Sequence, residues 1–197
     1  MELKTFVKNM KIKDLLKMES VVNRIQHCNS LTEKCILARE FLSPQSTHIE
    51  SIIKKDLEIG NPKNESSGDG CKNDVNYEIK VSLHAKQSKL NFVQIRPDHD
   101  IDYYILIAYN MYHDSEDELG KGYIMKVPSV DMYDLVIKYG GYAHGSCKKL
   151  GNITSDNLRG RNCEYALRCN PNVVSGVNQE IWSQLLQYET EYHKDNF

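Results

Sequence analysis

No stretch of this sequence approaches the roughly 20 uninterrupted apolar residues that a membrane-spanning helix needs. The most apolar run, Tyr103 to Tyr109, has only the length of a strand. The opening residues MELKTFVKNMKIKDLLKM scatter lysine throughout and hold no apolar block, so they do not read as a secretory leader. Strong charge of either sign is missing too: 25 Lys and Arg stand against 27 Asp and Glu, a formal net charge of -2. That excludes a protein gripping nucleic acid by bulk positive charge, though not one with a local basic patch. Six cysteines, at 28, 35, 71, 147, 163 and 169, are too few and too irregular for a disulfide framework in 197 residues. Free thiols in a reducing cytoplasm, with no membrane partner, are the expectation. Repeats and low-complexity tracts are absent as well. With 40% hydrophobic and 26% charged residues, the composition is that of a globular chain with room for a proper core.

What is present divides into three stretches of one α/β domain spanning residues 1–197. Residues 1–60 read as helices. Ile12, Leu15, Leu16, Val21, Val22 and Ile25 approximate one helical stripe. Ser30 and Glu33 form a capping-box pattern that opens a second helix through about Phe41. Ser43-Pro44 opens a third, carrying Ile49, Ile52, Ile53 and Leu57. From Asp69 to Val127 the period changes to two, with strands expected at 75–83, 90–96, 103–110 and 122–127. Pro128-Ser129 starts another helix that ends at Gly140-Gly141, and Cys163–Arg168 suits a short strand. A last helix is expected from about Val177 to His193, burying Ile181, Trp182 and Leu185. The order predicts a mixed central β-sheet flanked by helices.

The chemistry concentrates between Gly68 and Ser82. Val75, Tyr77, Ile79 and Val81 alternate with Asn76, Glu78, Lys80 and Ser82, the pattern of a half-buried strand, so Glu78 and Lys80 share a face about 7 Å apart. Asn73-Asp74 suits a two-residue hairpin loop, since both tolerate positive φ. That loop pairs Lys72 with Val75, Cys71 with Asn76 and Gly70 with Tyr77, and it sets Asp69 opposite Glu78 at roughly 5 Å between Cβ atoms. Opposed carboxylates destabilise a hairpin unless a cation sits between them, and hard oxygens beside a lysine suit Mg²⁺ rather than zinc. Asp74 lies about 13 Å from Glu78 along an extended strand, too far to share one ion.

An Asp, a hairpin and then Glu-x-Lys, as Asp69, Glu78 and Lys80 stand here, resembles the PD-(D/E)XK nuclease superfamily, most closely its type II restriction endonucleases. The stretch from Asn91 to Pro97, leading into Asp102–Leu106, fits the following core strands. One departure is Gly68 where the family often has proline. The resemblance implies a restriction-endonuclease-like core, with Asp69 and Glu78 as metal ligands, the backbone carbonyl of Ile79 as a further contact and Lys80 as the catalytic lysine. It also suggests Glu50, on the third helix, as a third carboxylate. Gln94 and Arg96 share a face of the next strand and would point at the active site or at DNA phosphate.

Between Lys138 and Arg168 six basic residues stand against two acidic ones, and three of the chain's six arginines fall at 159, 161 and 168. Arginine suits guanine and phosphate, asparagine suits adenine. Lys148, Lys149, Asn152, Asn157, Arg159, Arg161, Asn162 and Arg168 are therefore the candidate DNA-reading residues, within a recognition segment at 138–170. His144, Cys147, Cys163 and Cys169 lack the paired knuckles of a zinc site, and free thiols are expected there. The function expected is Mg²⁺-dependent cleavage of double-stranded DNA at a short, palindromic site by a homodimer, alongside a methyltransferase that protects the host sites. A structure-specific repair or junction nuclease, or a DNA-binding module without catalysis, are the alternatives.

Overall fold

The computed structural model describes residues 18–42, 45–83, 89–112 and 119–197. The stripe residues Ile12, Leu15 and Leu16 and the Ser43-Pro44 helix start lie outside them. Three helices come first: α1 (Met18–Gln26), α2 (Leu31–Phe41) and α3 (Gln45–Asp56). The Ser30 side chain accepts the Glu33 N–H at 3.2 Å, so α2 opens as its capping pattern predicts. Strands β1 (Gly70–Lys72), β2 (Val75–Ser82), β3 (Leu90–Ile95), β4 (Tyr103–Asn110) and β5 (Lys121–Pro128) follow. Helix α4 (Ser129–Tyr139), the short β6 (Gly141–Tyr142), β7 (Tyr165–Cys169) and α5 (Val177–Leu186) complete the order.

These strands form two sheets. In the order β1-β2-β4-β5, β2 and β4 run parallel and the outer pairings are antiparallel. This is the expected mixed sheet. Its strand β4 is buried from Tyr104 to Asn110 and apolar or aromatic up to Tyr109, because both faces are covered. Ile105, Ile107 and Tyr109 pack with Ile49, Ile52 and Ile53 of α3 and with α1 and α2. Tyr104, Leu106 and Ala108 pack on the opposite side with Met132, Tyr165, Leu167, Ile181 and Leu185.

The structure corrects the expected architecture in three places. First, β3 leaves the central sheet and pairs with β7 in a second, antiparallel sheet, β3-β7-β6. Its Leu90, Phe92 and Ile95 are all buried, an inward spacing that a bulge at Gln94 (φ 59°) makes possible. Second, the polar face of β2 is covered as well: Asn76, Glu78 and Ser82 are all buried. Third, α5 stops at Leu186, well short of His193, because the next residues lie along the edge of β5. There the Lys126 N–H donates to the Tyr188 carbonyl and the Thr190 N–H to that of Ile124. Among the described residues no helix is long and apolar enough to cross a membrane.

Candidate active site

The hairpin forms with the expected register: Lys72 pairs with Val75, Cys71 with Asn76 and Gly70 with Tyr77. Asn73 and Asp74 both take positive φ, at 51° and 65°. One step further the ladder departs from expectation. The Asp69 N–H donates to the Tyr77 carbonyl at 2.8 Å, the residue already paired with Gly70, so Asp69 and Glu78 do not stand squarely opposed. Instead Asp69 turns to the open edge of β2, where its Oδ2 accepts the Ile79 N–H at 2.7 Å. In a strand the N–H and C=O of one residue point to the same side, so the Ile79 carbonyl faces that edge beside Asp69.

Two glycines make this turn possible. Gly68 sits at φ 76°, and a Cβ there would lie 2.5 Å from the Tyr77 carbonyl oxygen. At Gly70 a Cβ would meet the Gly60 carbonyl oxygen at the same 2.5 Å. Proline at 68 would be excluded by its fixed negative φ.

Lys80 donates to Glu78 Oε1 at 2.5 Å, an ion pair with both side chains largely buried. Burial raises the Glu78 pKa, and the Asp69 charge adds to that against the opposing pull of Lys80. From the other side α3 brings in Glu50, whose pKa rises to about 7 through burial and the charges of Asp69 and Glu78, with Lys80 and Lys54 opposing. Glu50, Ser51, Lys54, Lys55, Asn61 and Asp69 line a cleft of about 410 Å³. Lys54 Nζ donates to the Asp69 carbonyl at 2.5 Å. Lys54 escaped the sequence reading although it lies one helical turn from Glu50 on the same face of α3, which was the available signal.

Asp69, Glu78, Lys80, Glu50 and the Ile79 carbonyl are thus brought to one sheet edge. Among the described residues no three His, Cys, Asp or Glu side chains converge as a finished metal cage. The donors nevertheless fit a hard divalent cation in kind and in charge. They are carboxylate and carbonyl oxygens, and the carboxyl of Glu50 is raised first by burial and then by the nearby Asp69 and Glu78, against Lys80 and Lys54.

The remaining candidates are distributed differently. Gln94 is exposed at the bulge of the second sheet, and the bulge breaks the shared face expected with Arg96. Arg96 Nε donates to Glu164 Oε1 at 2.8 Å, and His144 Nε2 lies 2.9 Å from Oε2 of the same carboxylate. Lys148, Lys149, Asn152, Arg159, Asn162 and Arg168 are exposed. The Arg159 guanidinium lies 5.1 Å from the centre of the Tyr133 ring. Asn157 and Arg161 are half-buried and tie the loop together, bonding to the carbonyls of Asn152 (2.8 Å) and Leu150 (3.2 Å). Asp98, which the sequence did not flag, accepts the N–H groups of Gly160 and Asn162 and so braces the segment. Cys147, Cys163 and Cys169 are free thiols.

Compared with models of known protein families, with curated proteins and with solved structures, the chain matches none.

Proposed function

We propose that this chain is a Mg²⁺-dependent endonuclease with a restriction-endonuclease-like core, cutting double-stranded DNA at a short specific site in the manner of type II restriction enzymes. The observation that carries the reading is the gathering of Asp69, Glu78, Lys80 and Glu50 at one open strand edge beside a cleft, with Glu50 pushed up to about 7. A purely structural hairpin has no use for three carboxylates in one another's field.

Bound Mg²⁺ supplies activation of water and neutralisation of charge at phosphorus. Asp69, Glu78 and the Ile79 carbonyl would hold it, with Glu50 as a further carboxylate. Lys80 stands beside the carboxylate of Glu78 and can turn its ammonium to the developing phosphorane charge. The exposed arginines and lysines between 148 and 168 would contact DNA, and a homodimer would present two such sites to a palindrome.

The test is incubation of purified protein with unmethylated phage DNA, with Mg²⁺ or with EDTA, beside Asp69→Asn, Glu78→Gln and Lys80→Met. Discrete fragments that need Mg²⁺, with at least a hundredfold loss in each variant, are expected. Intact DNA, or cleavage that the variants retain, would overturn the assignment. Preference for branched over linear duplex would replace the restriction reading with a junction nuclease, and binding that ignores Mg²⁺ without cleavage would leave only a DNA-binding module.

A further inference from the structure

Glu78 is 5% exposed, and among the described residues its hydrogen-bond donor is Lys80. When Lys80 turns to a phosphate, as the nuclease reading requires, that buried carboxylate loses its hydrogen-bond donor, and the acceptor positions a metal ion would not take are left unfilled. The parallel ladder places Tyr104 of β4 directly beside Glu78, on the same face of the sheet. The ring of Tyr133, from α4, meets Tyr104 edge-on with centroids 6.2 Å apart. Both hydroxyls are buried, and among the described residues neither has a partner in hydrogen-bond geometry. They lie near each other, with the Arg96 backbone also close to Tyr104 and the Ser129 side chain close to Tyr133, all outside hydrogen-bond geometry. Both phenols also lie within the field of the Glu78 carboxylate, and burial raises the pKa of each, so they remain protonated donors. Buried hydroxyls in folded proteins nearly always find partners, so two that miss hydrogen-bond geometry beside the strand position of a buried carboxylate need a reason.

We infer that Tyr104 and Tyr133 are positioning residues for Glu78, taking over its carboxylate when Lys80 leaves it for the phosphate. The destination of Lys80 rests on the nuclease reading, whereas the exchange of donors does not. In the resting arrangement the hydroxyls are idle and Lys80 neutralises Glu78. In the working arrangement Lys80 is released, and the tyrosines hold the Glu78 carboxylate aimed at the edge it shares with Asp69.

The experiment is a cycle in which Tyr104→Phe and Tyr133→Phe are each made in the natural chain and in Lys80→Met, followed by thermal unfolding. In the natural chain each substitution removes an unpaired hydroxyl, so Tm is expected to stay the same or rise. In Lys80→Met the hydroxyls are the donors to Glu78, so the same substitutions are expected to lower Tm by about 3 °C or more. Equal effects in the two backgrounds would overturn the inference. Lys80→Ala, which likewise gives Glu78 no donor, replaces Lys80→Met in the cycle should that variant not fold. Kinetics give a second readout: each Tyr→Phe single variant is expected to lower kcat about tenfold with KM for DNA within about twofold. An unchanged kcat, or parallel losses in kcat and Tm, would also count against it. A natural chain that cuts no DNA would remove the nuclease reading and leave the Tm cycle to decide the donor exchange on its own.

Discussion

Glu50 ties the stability of the fold to pH. Its carboxyl rises from an ordinary value of 4.5 to about 7 in the folded chain, so folding favours the protonated form. The stability this contributes is full below about pH 4 and fades as pH climbs through 7. Glu50→Gln, which mimics the protonated acid, should match the natural chain near pH 4. At pH 8 it should be the more stable by on the order of 1–3 kcal/mol, after allowance for the partial exposure of the site. Urea unfolding across that range would show it, and parallel curves for the two proteins would disprove the coupling. Mg²⁺ bound at this edge, as proposed, would compete with the proton, so it should raise the Tm of the natural chain more at pH 8 than at pH 5.5. Gly68 offers a backbone counterpart. Alanine there faces both a positive φ and a carbonyl oxygen at 2.5 Å, so Gly68→Ala should cost about 1–3 kcal/mol and displace Asp69. A denaturation midpoint equal to that of the natural chain would contradict the close approach.

At the scale of elements, what was legible in the sequence is what short-range chemistry decides. The loop Asn73-Asp74 sets the register of β1 on β2 because two residues of positive φ leave only one way to close the hairpin. Apolar spacing and a cap place α2, and the same spacing puts Ile49, Ile52 and Ile53 of α3 against the sheet that Glu50 must reach. What was not legible depends on partners distant in sequence. The pairing of β3 with β7, the pairing of β2 with β4 that sets Tyr104 beside Glu78, and the run of residues 188–190 along β5 join segments with no local sign of each other. The covered polar face of β2 follows from those pairings, since it is buried by elements that periodicity does not connect to it. A further tie across elements is buried Lys34 on α2. It donates to the Ile25 carbonyl at 2.8 Å and pairs with Asp56 of α3 at 2.9 Å, and Asp56 in turn accepts the Tyr192 hydroxyl at 2.5 Å. Lys34→Met leaves Asp56 without its cation and should cost about 3–5 kcal/mol, whereas Lys34→Met with Asp56→Leu should recover part of the loss. Additive losses in the double variant would show that the pair is not coupled.

At the scale of the whole molecule, a net charge of -2 means that DNA would be held by where charge sits rather than by how much there is. The acidic edge with Asp69, Glu78 and Glu50 repels phosphate, so the attraction must come from elsewhere on the surface. Lys148, Lys149, Arg159 and Arg168 are exposed cations of the proposed recognition segment, while Arg96 is already held by Glu164. Each phosphate that such a residue neutralises contributes about 0.9 to the slope of log K against log salt. Changing Lys148 and Lys149 together to alanine should therefore lower that slope by about 2 and weaken binding to all duplexes alike. Arg159→Ala should instead weaken the cognate site more than other sequences if the guanidinium reads a base, or all sequences equally if it meets phosphate. Fluorescence anisotropy with EDTA in place of Mg²⁺ isolates binding from cleavage and gives both quantities. A slope unmoved by the double lysine variant would place the DNA on another face of the protein, even if the acidic edge proved to be catalytic.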